Sequence, residues 1–391
     1  MTKLKDEFLL EDSLIFLNHG SFGACPKPVF EVYQYWQRQL EYQPVRFLGR
    51  QATDLLAEAR SELANYLNAP QDDLVYTPNP TTAINMIVRN LGLKPGDEIL
   101  TSDHEYGAMD RTWRFICKKT GAKYVQRPIS LPVSTQAEFV EYFLAGITPQ
   151  TKVIFLSHIT SLTALIFPVE EICKRAREKN IITIIDGAHA PGQISLDLEA
   201  INPDVYTGAC HKWLCAPKGS AFLYAHPDIQ PRLEPLVVSW GYESENPGPS
   251  QFIDYHEWQG TRDLAAFLAV PRAIQYQADN QWNSVRQRCH ELALKAQSQI
   301  DSLTGLQAIS PPSSQWFQQM VSVRLPPEID PESLKNHLHD EYQIEVMALL
   351  WQDQPYLRVS FQAYNLETDL DALLTALEKY LSEEEFTHEN N

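Results

Sequence analysis

The stretch Ile181-Ile-Thr-Ile-Ile-Asp-Gly-Ala-His189 decides the fold. Its first five residues are all β-branched, side chains that suit a pleated surface better than a helix, and the run stops abruptly at Asp186-Gly187. It reads as a buried strand with a carboxylate at its carboxyl end. In open α/β sheets that end is where ligands bind.

Outward from this strand the same grammar repeats. Lys152-Val-Ile-Phe-Leu156 reads as a second buried strand, and the charged, periodic segment Val169 to Lys179 between the two reads as a helix. Alternation of this kind predicts βα units on a mostly parallel sheet. From about Asp263 the pattern changes to long helical stretches, with Trp282 to Ile300 apolar on one face. A β run (Gln319 to Leu325), a helix opening at Asp330-Pro331, another β run (Tyr356 to Phe361) and a terminal helix follow. That last helix carries Leu370, Leu373, Leu374, Leu377 and Leu381 as one stripe, and Thr368 with Asp371 reads as its capping box. The expectation is an α/β fold: a segment over 1–25 reaching the active site, a large domain over 26–262 with helices flanking its sheet, and a smaller C-terminal α+β domain over 263–391. Pro227 to Pro249 reads as a long loop and Glu383 to Asn391 as a frayed polar tail.

Composition narrows the function. At 391 residues, 44% hydrophobic and 21% charged, the chain is long enough for a sizeable core and more than one domain. Lys+Arg 32 against Asp+Glu 50 gives a net charge of −18, a field that repels nucleic acid and anionic lipid, so neither is an expected partner. Met1 to Asp12 is acidic without a long apolar core, and no apolar run is long enough to span a bilayer, so the expected location is cytoplasmic. Six cysteines lie scattered without CxxC spacing, which argues against a disulfide framework and a zinc ribbon. His337 and His339 sit on a predicted surface helix without a third ligand, so they read as solvated and no metal site is expected.

Chemistry concentrates in a pair. Asp186 ends its strand, and Lys212 follows in Tyr206-Thr-Gly-Ala-Cys-His-Lys-Trp213, so both belong at the ligand-binding edge of the sheet. An amine and a carboxylate there suit pyridoxal 5'-phosphate, which needs an amine for its aldehyde and an acidic partner for its pyridine nitrogen. A phosphate site is legible too. Asn79-Pro-Thr-Thr-Ala-Ile-Asn85 opens a helix striped by Ile84, Ile87, Val88 and Leu91, placing Thr81 and Thr82 at its N-terminus with hydroxyls and backbone amides to offer.

Together these segments carry a resemblance. Asn18-His-Gly-Ser-Phe-Gly23, Asn79 to Asn85, Asp186-Gly-Ala-His189, His211-Lys212-Trp213, Gly260-Thr-Arg-Asp263 and Leu357-Arg-Val-Ser-Phe361 with Tyr364-Asn365 occur in the order of the class V aminotransferase superfamily, PLP fold type I. The chain resembles most the isopenicillin N epimerase-like branch, and it is also similar to the cysteine/cystine C–S lyases. The resemblance implies that Lys212 holds the internal aldimine and then acts as base at Cα, and that Asp186 pairs with the pyridinium. It implies cofactor contacts from Thr81, Thr82, His189, His211 and Thr261, the last across a twofold interface, and hence a homodimer with shared sites. Tyr106, in Asp103-His-Glu-Tyr-Gly-Ala108, sits where the family places a ring over the cofactor; His104 is its rival. Arg358 is the implied clamp for the α-carboxylate of an amino-acid substrate, with Asn18 and His19 facing that substrate.

Departures sharpen the expectation. Desulfurases of the superfamily carry a mobile-loop cysteine before the arginine, whereas Ala348-Leu-Leu-Trp-Gln-Asp-Gln-Pro355 has none, and Ser161 stands where they place Asn. Elimination at a C–S bond is the favoured outcome, with epimerisation or transamination as alternatives and His19 as the proton donor on the second face. A non-catalytic α/β ligand-binding protein is the alternative of another class. Neither G-x-G-x-x-G after a strand nor a Walker A motif supports a nucleotide site.

Overall fold

A computed structural model describes the backbone of residues 2–389 and the side chains of residues 4–382. Its central sheet contains β1 (Leu74–Thr77), β2 (Glu98–Ser102), β3 (Lys123–Arg127), β4 (Thr151–Ser157), β5 (Ile182–Gly187), β6 (Val205–Ala209) and β7 (Ala221–Ala225). Their order is β1-β7-β6-β5-β4-β2-β3, parallel throughout except for β7, which runs against both neighbours. The strand chosen from the sequence is therefore central. Its alternation explains the burial: Ile184 packs with Val153 and Phe155 on one face, Ile185 with Ile154 and Leu156 on the other. Each such side chain contributes about 1.5–3 kcal/mol when taken fully out of water, so every apolar position of the run is used.

Helices cover both faces, among them α1 (Lys27–Tyr42), α2 (Ala52–Leu67), α3 (Pro80–Val88), α4 (Gly107–Thr120) and α5 (Val169–Arg177). After α6 (Trp282–Thr304) comes a second sheet of β8 (Met320–Arg324), β9 (Met347–Trp351) and β10 (Gln354–Ser360), in antiparallel order β9-β10-β8. The helices α7 (Pro331–Tyr342) and α8 (Glu367–Glu389) complete this part, α7 capped by Asp330, which accepts from the Ser333 N–H. From the other end of the chain, Ile15–Phe16 pairs in parallel with Ile344–Glu345, and Asn18 bridges Ser360. The N-terminal segment is thus fastened to the smaller sheet.

Three local expectations need correction. The α8 helix begins at Glu367, so Thr368 lies within its first turn and the Thr368–Asp371 box does not close the end; Asp369 does so by accepting from the Leu366 N–H at 3.1 Å. His337 is not solvated but packed between the rings of Tyr342 and Tyr380, whereas His339 is exposed beside Asp340. The backbone of Glu383 to Glu389 continues α8 as helix where a frayed tail was expected, and residues 390 and 391 lie outside those described. Pro227 to Pro249 is a loop apart from one short turn, with Trp240 87% exposed at its outer edge.

Candidate active site

A cavity of about 170 Å³ opens at the carboxyl edge of the central sheet. Thr81, Tyr106, Asp186, His189, His211 and Lys212 all line it, so residues that follow four different strands meet in one place. Register explains the floor: Ser157 lies beside Asp186 at the ends of β4 and β5, and Asp186 lies beside Thr207 of β6.

Asp186 is buried, and its Oδ1 accepts the Ala188 N–H at 3.0 Å. Its other oxygen takes no hydrogen bond from the described residues, leaving one acceptor for a ligand. Burial pushes its carboxyl above the ordinary value, with the Ala188 N–H and Lys212 pulling the other way. Lys212 stands on the turn after β6, its amine lowered to about 7 by burial and further by Arg358, against an opposing pull from Asp186. Near neutral pH it is therefore a nucleophile and a base as much as a cation.

Two imidazoles flank this amine. His189 Nε2 lies 3.1 Å from Lys212 Nζ, and Trp213 Nε1 donates to His189 Nδ1 at 3.2 Å. His211 Nδ1 lies 2.8 Å from the Ser220 carbonyl, and burial brings the ring down to about 4. Since a carbonyl only accepts, the His211 proton sits on Nδ1 and its Nε2 presents a lone pair.

The phosphate-type site is half as open as its sequence suggests. Asn79 caps α3 through its side chain, which accepts the Thr82 N–H at 2.8 Å. The Thr82 amide is thus already used and Thr82 is not on the cavity wall, a correction to the expectation of two free amides. Thr81, second in the helix, reaches no earlier carbonyl and lines the cavity.

Arg358 stands directly behind the wall. It is 2% exposed, and its Nη atoms donate to the Ser161 carbonyl at 2.6 Å, to Ser21 Oγ at 2.9 Å and to Asn18 Oδ1 at 3.2 Å, while its buried Nε has no partner. Asn18 therefore orients the guanidinium instead of facing the cavity, and its Nδ2 is tied to Glu345 at 3.1 Å. His19 is a larger correction. It is wholly buried, 2.9 Å from the Tyr364 hydroxyl through Nδ1 and 3.0 Å from the Lys212 carbonyl through Nε2, and burial pushes it down to about 3. It pins the lysine turn from behind and does not line the cavity. Ser21 and Phe22 line the cavity in its place, because the short helix His19–Phe22 turns residues two and three positions later toward the opening.

Tyr106 lines the cavity at 47% exposure, whereas His104 is buried elsewhere, 2.7 Å from Thr163 Oγ1 with its ring against Trp351. Thr261 is exposed and lies off the cavity wall of its own chain. Sequence reasoning missed Glu105. This buried carboxylate accepts from Ser102 Oγ at 2.6 Å and from Ser157 N and Oγ at 2.9 and 2.6 Å, and burial pushes it up to about 8. Its only sequence signal was an acid wedged between the two candidate rings.

Comparison with known proteins adds three findings. The family model described as aminotransferase class-V matches residues 24–373. Isopenicillin N epimerase of Amycolatopsis lactamdurans is 38% identical over 389 residues, covering 96% of this chain and 97% of that protein; the probable chloroplastic L-cysteine desulfhydrase of Arabidopsis thaliana is 26% identical, covering 96% and 85%. Among solved structures, the cystine C–S lyase C-DES in complex with its reaction product cysteine persulfide has the same fold, with a TM-score of 0.83 at 22% identity over 94% of this chain and 98% of that one.

Proposed function

The chain belongs to the aminotransferase class-V family of pyridoxal 5'-phosphate enzymes, and we propose that it removes the Cα proton of an amino acid bearing sulfur on its β-carbon and expels that sulfur. Lys212 is the base. Bound in the cavity, the cofactor supplies an electrophilic carbon for an amine and a ring that draws electrons from Cα.

The residues present fit that group. Lys212 offers an amine near neutrality, and Asp186 has an oxygen free to hold a proton on a ring nitrogen. The unshared Thr81 N–H and its hydroxyl suit a phosphate, and Tyr106 gives a ring surface. Arg358 is a buried cation surrounded by neutral oxygens only, an imbalance that a substrate carboxylate corrects. Ser21 and Ser161 share its donors and form the wall in front of it. Elimination is carried by one observation: His19, the expected donor on the second face of Cα, is sealed away. Inversion needs a proton donor on each face, whereas elimination needs one base and a leaving group.

Epimerisation is the second reading, favoured by the 38% identity with an isopenicillin N epimerase and by the Tyr106 phenol on the cavity wall. The two separate in one experiment: L-cystine is followed for pyruvate, and amino acids without a β-leaving group are followed in deuterated water for inversion. Pyruvate from L-cystine is expected. Inversion without pyruvate, lost in Tyr106→Phe, overturns elimination in favour of epimerisation.

A homodimer belongs to the same proposal, with Thr261 serving the partner's cavity. The exposed apolar side chains Phe22, Tyr42, Val45, Val238 and Trp240 support it. No helix among the described residues is long and apolar enough to cross a membrane, and the cytoplasmic location and the three-part division at 25 and 262 stay proposals alongside.

A further inference from the structure

Trp213 follows the lysine and is completely buried. An indole N–H can only donate, so the hydrogen bond from Trp213 Nε1 obliges His189 Nδ1 to present its lone pair. Burial keeps that imidazole neutral, with a single proton to place. The proton must sit on Nε2, the nitrogen 3.1 Å from Lys212 Nζ. An ammonium has only donors, and against Nε2–H it would meet hydrogen to hydrogen. A free amine accepts the same hydrogen bond.

We infer, on the footing of the function proposed above, that Trp213 is a positioning residue which sets the tautomer of His189 and thereby holds Lys212 as a free amine, with a proton donor waiting beside it. When the amine bonds a carbonyl carbon, the Nε2–H is left to serve a neighbouring oxygen, such as the ring hydroxyl of the cofactor.

Both partners are pinned for this task. The Trp213 carbonyl accepts from Gln277 Nε2 at 2.8 Å, and its ring lies 5.0 Å from that of His19. The Trp213 carbonyl also passes so close to Gly192 that a Cβ there would meet it at 2.2 Å. The His189 carbonyl accepts from Gln193 Nε2 at 2.8 Å. The backbone contacts fix where the indole starts, and the ring itself is held against His19 and against Gly20, where an added Cβ would meet its Cζ2 at 3.4 Å, so a side-chain flip that withdrew the donor would have to break that packing. The other titratable groups around the pair are Asp186 on β5, Arg358 on β10, and His19 and His211. Asp186 favours the ammonium and Arg358 opposes it, so the tautomer acts on an amine already near balance.

The test uses the full-length chain freed of cofactor, so that it stands whether or not the proposed reaction is correct; the visible absorbance of the protein as isolated checks the cofactor separately. In Trp213→Phe the ring stays and the donor goes. Nitrogen-15 spectra should show His189 bare at Nδ1 in the parent and losing that preference in the variant. Labelling of Lys212 by acetic anhydride, read by mass spectrometry across pH, should shift its midpoint upward by about one unit, roughly fivefold less labelling per unit time at pH 7. An unchanged tautomer or an unchanged midpoint overturns the inference. So does a shift from Trp213→Phe in a His189→Leu background, because it would mean that the indole acts by packing alone. Should Trp213→Phe fail to fold, benzothienylalanine at position 213 keeps the indole shape without its N–H and repeats both measurements.

Discussion

Two arginines are buried to a similar degree and live in opposite electrostatic circumstances. Arg60 on α2, 6% exposed, forms an ion pair with Glu257 and also donates to the Gln71 carbonyl at 3.1 Å. Arg358 on β10, 2% exposed, meets only neutral oxygens and leaves its Nε unpartnered; burial draws it down to about 10. A charge taken out of water has to be compensated. Where the chain compensates it internally the group serves the fold, and where it does not the site has an opening for the partner that the proposed function assigns to a ligand. Lys212 falls on the second side, buried near one guanidinium and opposed by a single carboxylate it does not touch.

The sharpest break of this contrast is Lys212→Ala. Turnover should fall by about 10⁴-fold or more, the scale on which a reacting group is lost, and borohydride should no longer fix cofactor to the chain, while the melting temperature holds or rises. A pyridoxyl adduct on another lysine would sink the assignment. Glu257→Gln should do the reverse. It strands the Arg60 charge and should cost about 3–5 kcal/mol of stability in a urea titration, with activity per folded molecule unaltered. Arg358→Ala should lower kcat/KM for amino acids by the equivalent of about 2–5 kcal/mol without loss of stability; equal kinetics across several substrates would place the carboxylate elsewhere. The smallest effect is in pH. Because burial disfavours the ammonium of Lys212, the amine fraction grows as pH rises toward about 7. Cofactor uptake by the stripped chain should climb roughly tenfold per pH unit below that point and level off above it. A stopped-flow rise that continues without a plateau into the ordinary lysine range would make Lys212 unexceptional.

The parts of this molecule that could be read in advance share a property: a strongly repeated local pattern. The β-branched run into Asp186 is a strand whatever surrounds it, and the apolar spacing after Asn79 is a helix with a usable start. Order along the chain was enough to bring Asp186 and Lys212 to one edge. What escaped depended on a single turn of backbone. Four residues, His19–Phe22, form a short helix, and its rotation alone exchanges Asn18 and His19 for Ser21 and Phe22 at the cavity. No periodicity can be measured over four residues. The pairing of Glu105 with Ser157, and of Trp213 with His189, arises from distant strand ends meeting, and one sequence carries no sign of it.

Asn18 has one more consequence, and it concerns the order of events when the polypeptide is made. The residue that orients Arg358 emerges early, yet its partner in β10 lies 340 positions later, and Glu345, which holds its amide, lies 327 later. At ribosomal speeds of about 5–20 residues per second, the N-terminal segment waits on the order of half a minute before either partner exists. The corner around Arg358 is thus the last piece of the pocket surroundings to close. A nascent chain that ends before β10 has the whole central sheet in its sequence but no Arg358, so the proposed carboxylate clamp is completed only when synthesis has run almost to its end.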